Sequence, residues 1–159
     1  MKTKTRRRRG NALIEMSLMI VPLFGLLFGI VDFGFAIFIR STLQHSVREG
    51  VRYAVTYQIQ PGLCQDDSIK ETVKTQAIGF LTPAQHANKI QIRYYDPLTF
   101  NEVLAPQGNS PGNIVEVAVE GYQYSWLAPL FWSASPLSIN VRASDRMEGL
   151  PGGGAAPCR

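Results

Sequence analysis

Glu15 is the residue whose type and place most demand a chemical reason. It lies near the start of an apolar stretch from Ala12 to Ile39, and Gly10, five residues earlier, closes a run of four arginines, Arg6 to Arg9. A carboxylate just inside a membrane-length helix is costly, so it is placed for a purpose more often than it is tolerated. Gly10 has no side chain, so an extended segment there can lie close against a protease. A second acid, Asp32, follows about 26 Å farther along the same helix at 1.5 Å per residue. That height puts it near the opposite membrane interface, where a solvated helix-end acid is the plain reading. Between them Pro22 removes a backbone donor and predicts a bend or local unwinding. Gly25 and Gly29 form G-x-x-x-G, a pattern that permits close helix approach.

Other candidate chemistry is sparse. The two histidines, His45 and His86, have no metal-ligand spacing. There is no phosphate-binding loop, dinucleotide fingerprint or G-x-S-x-G. Asp66 and Asp67 read as helix-start acids rather than metal ligands. No enzyme activity, cofactor, metal or small-molecule substrate is expected. Cys64 and Cys158 are the two cysteines. They can bridge within the chain, or stay free or pair between chains.

The charge is a tail rather than a face. Of 16 basic residues, six lie in the first ten positions, leaving ten against 12 acids. Without a basic stripe on a folded surface, nucleic acid is not an expected partner. A basic tail abutting an apolar span instead sets topology, with the N-terminus in the cytoplasm and the chain after Arg40 outside. The span measures roughly 42 Å as a helix, where a bilayer core needs about 20 residues. It exceeds the roughly 7–15 apolar residues of a cleavable signal. Gly34-Phe35-Ala36 nevertheless has the small-x-small form of a signal cleavage site, which would give a secreted chain starting near Ile37.

The elements that position these residues can be read from periodicity. Leu43, Val47, Gly50, Ala54 and Tyr57 keep one helical stripe going past the membrane, predicting one helix from about Asn11 to about Gln58. Ser68 to Leu81 reads as a second helix with a capping box at Ser68 to Glu71 and a buried face of Ile69, Val73, Ala77 and Phe80. Three alternating runs around Ile90–Tyr94, Val115–Val119 and Leu137–Ala143 predict an antiparallel sheet, with a weak fourth strand at Glu102 to Leu104. The fold class is therefore α+β: a long N-terminal transmembrane helix continuing into a small domain with a second helix and three to four strands. Tyr122 to Trp132 is dense in aromatics. Core packing is one reading; contact of Trp126, Leu127, Phe131 and Trp132 with a partner subunit or headgroups is the other.

Arg8-Arg9-Gly10-Asn11-Ala12-Leu13-Ile14-Glu15, then Pro22, Gly29-Ile30-Val31-Asp32-Phe33-Gly34 and Val47-Arg48-Glu49-Gly50-Val51-Arg52-Tyr53-Ala54 closely resemble the TadE-like family. These are pseudopilin-like proteins of the tight-adherence (Flp) pilus system. The resemblance covers roughly the first 55 residues. It implies cleavage after Gly10 by a prepilin peptidase on the cytoplasmic side, and a role in building the pilus rather than in catalysis. The expected partners are the inner membrane, that peptidase, and other pseudopilins or pilus-assembly components. Cutting there would leave Asn11 as a new ammonium one helical turn from Glu15. The two could pair within the chain or with a neighbour's helix; alternatively Glu15 snorkels to headgroups. Asp32, Pro22, Gly25 and Gly29 share this assembly segment.

On this reading residues 1–10 are a basic leader, 11–40 a transmembrane helix, 41–148 a periplasmic α+β domain including the helix extension, and 149–159 a flexible Gly- and Pro-rich tail. The protein would sit in a bacterial inner membrane, single-pass, with its N-terminus cytoplasmic. The rival reading is an uncleaved, signal-anchored periplasmic binding domain unrelated to pili.

Overall fold

A computed structural model describes residues 8–82, 88–127 and 134–159. One helix dominates it: α1, Arg8–Val55, 48 residues with Pro22 inside. It runs on as α-helix through Pro22, so the predicted local unwinding there is absent. Its two halves differ. From residue 12 to residue 31 apolar side chains point outward on every side, with Leu18 77% exposed and Leu26 64%. From Ala36 onward the stripe Ala36, Ile39, Leu43, Val47, Val51 and Ala54 is buried. The helix ends three residues before the predicted point. Tyr57 turns left-handed at φ 55, and the Gln58 and Tyr57 N–H groups donate back to the Tyr53 and Ala54 carbonyls at 3.3 and 3.0 Å. That is a Schellman stop with tyrosine where glycine is usual.

Helix α2 spans Gln65–Gln76, starting and ending earlier than its sequence predicts. Cys64 is its N-cap and Asp66 and Asp67 fill its first turn. Ser68 is not the cap: its hydroxyl donates to the Cys64 carbonyl at 2.8 Å and accepts from the Gln60 N–H at 3.0 Å. Ala77 is the C-cap, and Ile78 and Gly79 at φ 51 and 84 end the helix before Thr82. Ile69, Val73 and Ala77 are buried as their spacing predicts, with Phe80 partly so.

Strands β1 (Ile90–Tyr95), β2 (Ile114–Tyr124) and β3 (Leu137–Arg146) form an antiparallel sheet in the order β1-β2-β3. The weak fourth strand reduces to a single bridge, Tyr95 with Glu102. One face of the sheet, carrying Ile90, Tyr94, Val115, Val117, Val119, Ile139 and Val141, packs with α2 against the second half of α1. At Gly50 the helices meet closely: a Cβ there would stand 2.5 Å from Val73 Cγ2. The chain end is docked rather than free. Gln65 N–H donates to the Cys158 carbonyl at 2.7 Å, and the Arg159 guanidinium sits 4.3 Å from the centre of the Tyr94 ring.

Candidate functional site

The residues singled out by the sequence fall at three places. The first is the free half of α1. The described helix includes Gly10 and Asn11 in its opening turns. Glu15 is exposed, and among the described residues no side chain pairs with it. Pro22 is also exposed, and Gly25 and Gly29 are half-exposed. Among the described residues one helix is long and apolar enough to cross a membrane, and its apolar stretch is almost entirely uncovered. The core helix of a soluble domain would be mostly covered, so this helix suggests a single-pass membrane anchor.

The second place is a corner at Asp32, which is not a solvated helix-end acid. It is 1% exposed. Its Oδ1 accepts from the Tyr124 hydroxyl at 2.8 Å and from the Leu127 N–H at 2.8 Å. Burial and the Asp32 carboxylate push the Tyr124 phenol up to about 12. The geometry depends on a break in β2. Along the strand Val115, Val117 and Val119 point inward, and strict alternation would turn Tyr124 outward. A register shift between Val119 and Tyr122 adds a residue, with Gly121 at φ 67. Such a bulge re-aims the side chains beyond it, and Tyr122 and Tyr124 face the helix instead. Lys89 Nζ donates to the Gly121 carbonyl, and Gly121 N–H donates to Asn140 Oδ1 at 2.6 Å. Rings then close around the acid: Trp126 lies edge-on to Phe33 at 5.7 Å and to Tyr124 at 5.8 Å. Trp126 Nε1 donates to the Ser135 carbonyl at 3.0 Å.

Of the four candidate contact residues, Trp126 is thus partly packed against its own chain. Leu127 is 56% exposed. Phe131 and Trp132 lie outside the described residues. Sequence reasoning missed the tie from Asp32 to Tyr124; the available signal was Gly121 inside an alternating strand.

The third place is the far end of the domain. Cys64 and Cys158 are joined as a disulfide with Cα atoms 5.0 Å apart. Beside it Gln65 donates to the Ala54 carbonyl at 3.0 Å, and Asn109 donates to Gln65 Oε1 at 2.6 Å and to the Pro157 carbonyl at 2.9 Å. Arg159 pairs with Asp66 at 3.2 Å, and the Tyr94 hydroxyl donates to Asp66 Oδ1 at 2.7 Å. Burial foremost, then the Asp66 charge, raises the Tyr94 phenol well above its ordinary value. These buried polar groups tie α1, α2 and the chain end into one knot. None of them was legible as a site.

Among the described residues no cluster of histidine, cysteine, aspartate or glutamate could hold a metal ion. No curated protein matches the chain, and no solved structure does. The family model described as TadE-like protein matches residues 10–52, the stretch from Gly10 through the free half of α1 to Arg52, and this likeness suggests a role in tight-adherence pilus assembly.

Proposed function

We propose that this chain is a minor pseudopilin-like protein acting in assembly of a tight-adherence pilus, processed after Gly10 by a prepilin peptidase. The observation that carries the reading is the coincidence of the family match, which begins at residue 10, with a helix that leaves its next twenty residues uncovered by the folded domain. A surface so apolar is stable in lipid or against other helices of the same kind, and not in water. In the proposed topology the basic leader stays in the cytoplasm, the helix spans the inner membrane and the α+β domain is periplasmic. Cutting after Gly10 would create an ammonium on Asn11, one turn from an exposed Glu15 carboxylate. Opposite charges at that spacing favour each other's ionised form in an apolar setting. The pair would set register within the helix or between neighbouring helices. Other pseudopilins or pilus-assembly components are the proposed partners.

The test is the mature N-terminus. Coexpression with the matching prepilin peptidase should leave Asn11 as the first residue, read by intact mass of the membrane-purified protein. Gly10→Leu puts a bulky side chain where the chain must lie close to the enzyme, and should abolish the shortening. Normal shortening of that variant would reject the cut site. An intact Met1 in the unaltered protein would instead favour the uncleaved, signal-anchored domain.

A further inference from the structure

We infer that the corner at residues 124–127 lies in the lipid headgroup layer, so that the folded domain rests on the membrane surface. This rests on the reading of α1 as a membrane anchor. The first support is height. The twenty residues from Ala12 to Val31 rise about 30 Å at 1.5 Å per residue, the thickness of a bilayer's hydrocarbon core. Asp32 comes next and therefore falls at the outer boundary of that core. The hydrogen bonds from Tyr124 and Leu127 to Asp32 fix the corner at the same level.

The second support is chemistry. A bare acid at that depth would be expensive, and the corner covers it with two donors and a wall of rings. Tryptophan and tyrosine concentrate at membrane interfaces because their bodies are apolar and their edges polar. Trp126 and Tyr124 have that character, each using its polar edge for an internal hydrogen bond. The third support is continuity. Phe33 is 58% exposed and Leu127 56% exposed, and Trp126, 5.7 Å from the Phe33 ring, lies next to Leu127 in the chain, so apolar side chains carry the surface of the span onto the domain. Arg40, exposed about 12 Å above Asp32 at the helical rise, is the first base after the stretch and stands at the height of phosphates and water.

The experiment uses the full chain in phosphatidylcholine–phosphatidylglycerol vesicles. Trp132→Phe leaves Trp126 as the single tryptophan. Its emission should be blue-shifted, and quenched more by lipids carrying a nitroxide near the headgroup than by lipids carrying it at the acyl end. Quenching by aqueous iodide with none from either lipid would overturn the inference. A second variant, a spin label on Leu127→Cys, leaves the tryptophans in place. Here accessibility to oxygen above that to an aqueous nickel chelate is expected. Spin–spin broadening between labels would show the corner covered by another copy of the chain and would also overturn the inference. A control separates this from the anchor: Leu18→Trp, with both native tryptophans replaced by phenylalanine, should be quenched most at the acyl end. A quenched Leu18→Trp beside an iodide-quenched Trp126 sinks only the headgroup contact. An unquenched Leu18→Trp sinks the anchor and the contact together.

Discussion

Asp32 and Gly121 lie in different elements, yet the second explains the first. In the sequence Asp32 interrupts an apolar run near the far membrane interface, where a solvated acid is the plain reading. Its burial depends on Tyr124, and Tyr124 faces inward because β2 takes an extra residue at Gly121. Nothing local to Asp32 announces this, which is why its environment could not be read from the sequence. Hydrogen bonds to a charged group contribute about 1.5–3 kcal/mol each, and a buried donor left without a partner costs about 1–3 kcal/mol. Asp32→Ala should therefore destabilise the folded domain by about 2–4 kcal/mol, since it removes the carboxylate that accepts from the Tyr124 hydroxyl and the Leu127 N–H. Asp32→Asn keeps an acceptor oxygen of the same shape and should lose less than half of that. Denaturant unfolding in detergent micelles, followed through near-ultraviolet circular dichroism of the aromatic corner, reads both. Equal stability of the two variants would mean that the carboxylate does not hold the corner.

At the scale of elements the pattern of the chain was largely legible. Leu43, Val47, Ala54, Ile69, Val73 and Ala77 are buried because helices bury residues three and four apart. Ile90, Val115, Val117, Val119, Ile139 and Val141 are buried because strands bury every second one. Element ends were harder. The capping pattern at Ser68 misplaced the start of α2 because Cys64, held by the disulfide and by the Cys158 carbonyl on Gln65, already begins the helix. The Gly- and Pro-rich tail has no periodicity to read, and its docking depends on Cys158 and Arg159 meeting distant partners. One contact between elements makes a sharp prediction. In Gly50→Ala the new Cβ meets Val73 Cγ2 at 2.5 Å, and a buried, β-branched side chain has little room to yield. Overpacking of about 1–3 kcal/mol should outweigh the helix-propensity gain of about 1 kcal/mol. Gly34, also inside α1 but where an added Cβ meets nothing within 4 Å, provides the control: Gly34→Ala should show the propensity gain alone, a stabilisation of about 1 kcal/mol. Adding Val73→Ala to Gly50→Ala should recover part of the loss, so the pair should be non-additive. Thermal unfolding of the unaltered protein, Gly50→Ala, Val73→Ala, the double variant and Gly34→Ala in one detergent tests this, and a Gly50→Ala as stabilised as the control would show that the helices can move apart at no cost.

The molecule as a whole divides its stability and its proposed assembly role between the two halves of one helix. Among the described residues the core stripe, the corner and the knot at the disulfide all engage α1 from Asp32 onward. The half before Asp32 carries Glu15, Pro22, Gly25 and Gly29 and touches none of that core. Glu15→Gln is the variant that separates the two roles. It keeps the side chain's shape and removes its charge, so any attraction to a new ammonium on Asn11 weakens. Membrane insertion should survive, because deleting a charge from an apolar span lowers the insertion cost. Unfolding of the domain should be unchanged, since Glu15 is exposed and no side chain among the described residues pairs with it. What should fall is pilus formation at native expression, together with crosslinking to neighbouring helices through a cysteine placed at Leu18. Should the Gln variant also lose processing, the peptidase itself reads the carboxylate; should it assemble pili at the wild-type level with full crosslinking, Glu15 serves the headgroups and not a neighbour.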